Sequence, residues 1–326
     1  MSFKYLLFAL VLAGIAHSDQ AKAASFDCQK ARTNMERTIC SSPALSTLDE
    51  TLSLAYKTAR AKLSSTAQTT LVSSQRSWLR FIGTYCLIDT QAAAVSQREA
   101  TDCLLHAYQL RIKELNDTGK IVAGFKTFTA IDNHIRVTKA QDAVYVIERK
   151  FIQVDDTTDT GRNLNAYLGF ANQPELPAGR GTESFDTQVS RVSADWLLKQ
   201  THIELFTGAY PSSQTECGIY SLSKERPLKI GDIFQSGEWS AIMERAVRQH
   251  FEQLAKTEKE FDPSLVSGLE SIHQPETSPF SFCFTAKGIE LSGFLPHVIR
   301  NFDGVTISWR LLQKTLTPYA VQQVNQ

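Results

Sequence analysis

The chain has 326 residues, with 34 basic and 34 acidic side chains. That balance excludes nucleic acid as the natural partner, because nucleic-acid binding demands a strongly basic footprint. Without the leader described next, about 300 residues remain, which suggests two domains, or three at most.

Residues 1–23 read as a signal peptide. Lys4 supplies a short positive region, and Leu6 to Ala16 is an apolar run. That run is shorter than the roughly 20 residues a membrane-spanning helix needs. Ala21-Lys22-Ala23 is a small-x-small cleavage site, so the mature chain is expected to begin at Ala24. Losing Lys4, Lys22 and Asp19 leaves it close to neutral. Cys28 lies beyond the first mature position, so it is not a lipoprotein cysteine. No later apolar run is long enough for a membrane helix. The mature protein therefore reads as soluble and periplasmic, with secretion as the alternative. An oxidising compartment favours paired cysteines.

Residues 24–118 carry helical periodicity and four cysteines: Cys28, Cys40, Cys86 and Cys103. Thr33-Asn34-Met35-Glu36 is a capping box that starts a short helix ending near Cys40. On one continuous helix Cys28 and Cys40 would stand about 18 Å apart, too far for a disulfide; with the cap at Thr33, Cys28 is free to fold back. A second helix starts near Pro43 or Ser46, with Leu45, Leu48, Leu52, Ala55, Tyr56, Ala59 and Leu63 at helical spacing. A third runs from about Ala67 to Cys86, with Leu71, Trp78, Phe81, Ile82 and Tyr85 as its stripe. A loop over Asp89 to Ser96 leads to a fourth helix carrying Cys103, Leu104, Ala107, Leu110 and Leu115. Four cysteines allow three pairings. Cys28–Cys40 and Cys86–Cys103 are favoured, and a crossed pairing of the first helix with the hairpin competes.

The run Phe26-Asp27-Cys28-Gln29-Lys30-Ala31, then Glu36 to Cys40 and Leu45-Ser46-Thr47-Leu48-Asp49, resembles the LprI-like lysozyme-inhibitor N-terminal domain family. Gln75-Arg76-Ser77-Trp78-Leu79, Tyr85-Cys86, Cys103-Leu104 and Tyr108 to Leu115 extend the resemblance. It implies an exported helical module whose family activity is lysozyme inhibition.

From residue 119 the period changes to alternation. Ile135 to Lys139, Ala143 to Val154, Ala166 to Phe170, Trp196 to Phe206 and Gly218 to Leu222 read as strands, although Trp196-Leu197-Leu198 also fits a helix. Pro174 to Thr182 is a Pro/Gly-rich loop. Gly231-Asp232-Ile233-Phe234 precedes an amphipathic helix from about Ser240 to Lys256. Phe280 to Thr285 and Ile289 to Phe294 form a hairpin around Lys287-Gly288, and Val305 to Trp309 makes a last strand before Leu311 to Leu316. The expected architecture is mixed α and β: a disulfide-stapled helical bundle, then an α+β domain over 119–326 with an antiparallel sheet. A division of the second part near residue 200 stays open.

Gly208-Ala209-Tyr210, Leu228 to Phe234, Phe282 to Leu295 and Asp303 to Leu316 resemble the C-terminal α+β module of a lysozyme-sensing anti-sigma factor and of some peptidoglycan deacetylases. Cys217 and Cys283 are extra to that pattern, and a third disulfide joining them is expected.

No His-Glu-x-x-His, Gly-x-Ser-x-Gly or Cys-x-x-Cys occurs. His106, His134, His202, His250, His273 and His297 read as surface or packing residues, not metal ligands. Gly179-Arg180-Gly181 lacks the flanks of a phosphate loop. Asp155-Asp156 with Asp159 lacks the glycine and glutamate of a calcium loop, so it reads as a solvated acidic turn. Trp78 reads as core, whereas Arg76 and Arg80 are candidate interface residues. No catalytic, cofactor or metal site emerges. The leading function is protein–protein contact with lysozyme-type muramidases. The alternatives are an envelope module for peptidoglycan fragments or another envelope protein, favoured by an aromatic-lined groove on the α+β domain, and a cell-wall hydrolase, favoured by two carboxylates about 5–10 Å apart in a deep pocket.

Overall fold

The computed structural model describes residues 24–87, 96–137, 144–169, 180–208, 211–273, 281–296 and 303–324. The leader at 1–23, most of the loop after Cys86, residues 174–179 of the Pro/Gly-rich segment and His297 lie outside them.

Four helices come first: α1 (Asn34–Ser41), α2 (Pro43–Ala61), α3 (Ser65–Tyr85) and α4 (Gln97–Asn116). Thr33 accepts from the Glu36 amide and Glu36 reaches back to the Thr33 amide, so the capping box starts α1. The start of α2 falls at Pro43, capped by Ser42. Ser46 is interior, and its hydroxyl donates to the Ile39 carbonyl at 2.9 Å.

Strands follow: β1 (Ile121–Val122), β2 (Phe125–Ile131), β3 (His134–Val137) and β4 (Val144–Val154). The helix α5 (Asp159–Leu168) then leads to β5 (Gly181–Arg191), β6 (Trp196–Phe206), β7 (Ser212–Ser221) and β8 (Arg226–Pro227). Among the described residues these eight strands form one sheet in the order β1-β2-β4-β5-β6-β7-β8, with β3 on β4. Only the β4–β5 pair runs parallel, because α5 forms a crossover between the two strands. Short α6 (Ile230–Ile233) and long α7 (Glu238–Thr257) precede a second sheet of β9 (Ser281–Phe284), β10 (Gly288–Ser292) and β11 (Val305–Ser308), and α8 (Trp309–Leu312) and α9 (Pro318–Val324) close the chain. The fold is mixed α+β with antiparallel-rich sheets.

Two expectations are corrected. Ala166 to Leu168, read as strand, belongs to α5. Thr158 caps that helix, and Leu164 and Leu168, four residues apart, are both fully buried. A short apolar run cannot be assigned by period alone, so the cap decides. Trp309 opens α8 and does not extend β11. Gly181 and Thr182, expected in the Pro/Gly-rich loop, open β5, and neither β2 nor β5 was expected from the sequence; the polar residues of β5 form a strand because they sit between β4 and β6.

The helices do not bury their apolar stripes only against one another. Leu71, Trp78, Leu104 and Leu115 share one core with Phe128, Ala130, Ile131 and Val146 of the sheet. A second core packs Trp196, Leu198 and Ile219 against Met243, Val247 and Phe251 of α7 and the small sheet. Leu197 points the other way, toward Leu164 and Leu168, as strand alternation requires. The Cys217–Cys283 disulfide joins β7 to β9, with Cα atoms 5.0 Å apart.

Candidate functional site

A groove of about 390 Å³ opens where α3 and α4 lean on the sheet. From α3 come Trp78, Phe81, Ile82 and Tyr85, one turn apart on a single stripe; from α4 come His106, Leu110 and Glu114. The sheet contributes Glu148 and Lys150 from β4 and Ser184 and Asp186 from β5. Register explains that set: Glu148 lies opposite Ser184 and Lys150 opposite Asp186, and residues two apart share a face. The Cys86–Cys103 disulfide is also part of the groove wall.

The charges in this groove are unequally paired. Lys150 meets Asp186 at 2.7 Å, and Glu114 meets Arg111 at 3.0 Å. Glu148 makes no hydrogen bond or ion pair among the described residues. Burial pushes its carboxyl above the ordinary range, against the pull of Lys150. Tyr85 is shifted up by its own burial and then by the Glu148 charge. At the rim Tyr85 is 41 % exposed and Leu110 49 % exposed, where apolar groups of that size meet water at a cost.

The groove floor is fixed by the residues that carried the sequence motifs. Asp49 accepts from the Tyr108 hydroxyl at 3.2 Å and from the Ser25 amide at 2.8 Å. Gln75 accepts from Arg111 Nε at 2.9 Å. Trp78 is buried against Tyr108, ring centroids 5.4 Å apart. Ser74 accepts from Arg111 and from the Ile131 amide at 2.7 Å, coupling both helices to β2. Disulfides join Cys28 to Cys40 and Cys86 to Cys103, with Cα atoms 5.8 and 5.6 Å apart. The motif thus builds scaffold. Arg76 and Arg80 are exposed beside Val72 and Leu79 in a shallow depression on the far side of α3, and Arg80 also borders a separate pocket beside Asp132 and His134. The structure does not bring them to the groove.

Residues 27–115 match the family model described as lysozyme inhibitor LprI. That stretch holds α1 to α3, nearly all of α4 and two of the groove's three walls. No curated protein matches the chain. Among the solved structures that are similar are two, each at 13 % identity and a TM-score of 0.43. One is a DUF3298 family protein from Pseudomonas aeruginosa PAO1, covering 60 % of this chain and 96 % of that one. The other is a DUF3298 family member from Bacteroides fragilis NCTC 9343, covering 63 % and 99 %. The resemblance of the second half to the anti-sigma factor and deacetylase module rests on its sequence motifs alone.

Two polar clusters elsewhere have structural explanations. His273 touches Ser240 Oγ at 2.8 Å through Nδ1 and Glu244 at 2.9 Å through Nε2. A nucleophile would need access, yet Ser240 is 6 % exposed and its hydroxyl donates to the Gly237 carbonyl. The cluster pins the turn at Leu269–His273 onto α7.

The acidic turn needs correction. Asp155 is not solvated: its side chain is 2 % exposed and pairs with Lys126 at 2.8 Å. It also accepts from the Ser64 hydroxyl and from the Ser64 amide at 3.2 Å. Asp156 instead accepts from the Thr158 amide, and Asp159 pairs with Arg162. Among the described residues no His, Cys, Asp and Glu group is arranged to hold a metal ion. Burial pushes the Asp155 acid up, but the Lys126 and Ser64 bonds outweigh it and hold the group below its ordinary value. A depressed acid stabilises the fold above the unfolded carboxylate range, and the effect fades as pH falls through the folded value. Asp155→Asn should therefore lose about 1.5–3 kcal/mol at neutral pH, with a gap to wild type that shrinks below about pH 4. Urea titrations at several pH values check this, and a gap independent of pH would contradict it.

Proposed function

We propose that the protein is exported and binds lysozyme-type muramidases by protein–protein contact, acting as an inhibitor and not as an enzyme. The observation that carries this reading is the family match over residues 27–115. The three disulfides suit an oxidising compartment. Among the described residues no helix is long and apolar enough to cross a membrane. Many muramidases are basic, whereas this chain is neutral overall, so complementarity must come from a local patch. Binding of peptidoglycan fragments is the second reading, favoured by Phe185 of β5, the aromatic side chain that the α+β part contributes to the groove.

The test mixes the mature protein with lysozymes of several classes and follows the clearing of a cell-wall suspension. Clearing slowed in proportion to added protein, with a complex by gel filtration, is the expected result. No slowing and no complex with any class would end this reading. Saturable binding of soluble muropeptides in its place would favour the second.

A further inference from the structure

Glu148 sits in the groove between helices and sheet without a bonded partner among the described residues. It lies outside the stretch that matches the inhibitor family, so that match says nothing of it. The other acids there are neutralised: Asp186 by Lys150 and Glu114 by Arg111. Neither of Glu148's carboxylate oxygens is among the sealed, unpartnered atoms of the described residues, so the group is open to the groove. The same groove is lined by an aromatic ring and an aliphatic side chain, Tyr85 and Leu110, each about half exposed.

A half-buried carboxylate with no bonded partner among the described residues, in a groove that exposed Tyr85 and Leu110 also line, matches one chemistry closely; Lys150, the cation two residues along the strand, is already held by Asp186. A lysine or arginine side chain is an apolar stem ending in a cation. Its stem would cover Leu110 and Tyr85, and its charge would meet Glu148 at the depth where water screens least. The Tyr85 ring adds the attraction of an aromatic face for a cation. An anionic ligand would face Glu148 directly, and a purely apolar one would strip water from it with nothing in return.

We propose that this groove is a docking site for one basic side chain of a protein partner, with Glu148 as its counter-ion and Tyr85 and Leu110 as the clamp on its stem. The proposal rests on the reading of the protein as a muramidase binder, because a basic partner supplies such side chains. It adds the place of contact, which lies on the groove side of α3, away from Arg76 and Arg80.

Two measurements separate the proposal from that reading. The first uses ethylguanidinium, which needs no partner, with sodium chloride of equal ionic strength as control. Carboxyl and ring resonances of Glu148 and Tyr85 should shift saturably in wild type, and the Tyr85 shift should vanish in Glu148→Gln. The second uses whichever lysozyme class binds the mature protein. Glu148→Gln should weaken that complex about tenfold or more. Leu110→Ala, a surface change that leaves the core intact, should weaken it severalfold, whereas Arg76→Ala should leave it unchanged. Circular dichroism melts establish that each variant is folded. If lysozyme binds wild type and Glu148→Gln equally, the docking site is overturned and the muramidase reading stands. Should no lysozyme bind while ethylguanidinium still binds through Glu148, the muramidase reading falls and the groove remains a site for basic side chains. If neither binds, both fall.

Discussion

Replacing Arg111 by alanine should cost the protein about 3–5 kcal/mol, although the residue is a cation on a helix. Its side chain is fully buried, and three polar groups depend on it. Nε donates to Gln75 at 2.9 Å, Nη1 to Glu114 at 3.0 Å and Nη2 to Ser74 at 3.3 Å. Burial lowers the pKa of the guanidinium, and the Glu114 charge opposes that shift. Removing the cation leaves Gln75 without its donor and Glu114 without its counter-charge, whereas Ser74 keeps the Ile131 amide. Arg111→Met keeps the volume and should recover part of the loss, since Glu114 is 19 % exposed and can turn toward water. Urea unfolding followed by far-ultraviolet circular dichroism reads both variants. A cost for alanine below about 1 kcal/mol would show that the network is dispensable.

Trp196→Ala should cost a similar amount, about 3–5 kcal/mol, through a different mechanism. The indole is fully buried where β6 meets the C-terminal elements. It packs edge-on to Trp309 at 6.3 Å, and its Nε1 donates to the Tyr319 hydroxyl at 2.9 Å. Tyr319 in turn donates to Asp195, and its oxygen lies 2.8 Å from the Ser221 hydroxyl, so one ring holds both the packing and the tie of α9 to the large sheet. Trp196→Phe keeps most of the volume and loses the donor, and it should cost about 1–2 kcal/mol. Hydrogen exchange should then show α9 amides losing protection first in both variants. Retained protection in α9 of Trp196→Ala would mean that Tyr319 does not depend on the indole.

The local elements were legible because their signals are local. Thr33 with Glu36 marks a helix start within four residues. The stripe Leu71, Trp78, Phe81 and Ile82 shows the face that α3 buries. The even cysteine count in an exported-looking chain pointed to disulfides, and helix ends bring the partners together. Where local signals were weak, the reading failed for a physical reason. β5 carries mostly polar side chains and is a strand because of its neighbours. Asp155 looked like a solvated turn because Ser64 and Lys126, which enclose it, are distant in sequence.

The groove was the least legible part. Alternation along Val144–Val154 places Glu148 and Lys150 on one face, yet nothing in that strand says that α3 and α4 cover it. Nor does sequence say that Lys150 pairs with Asp186 and leaves Glu148 without a bonded partner among the described residues. Arg76 and Arg80 were visible as candidates because exposed arginines beside a tryptophan are a sequence pattern; their position on the outer face of α3 depends on which side of the helix the sheet occupies. The sequence by itself determined α1 to α4 and α7, the cap at Thr33 and the likeness of residues 27–115 to a lysozyme-inhibitor family, since each depends on residues near one another along the chain. Only the tertiary structure decided which polar groups are neutralised and which carboxylate faces the groove, because charge pairing and burial depend on distances in space.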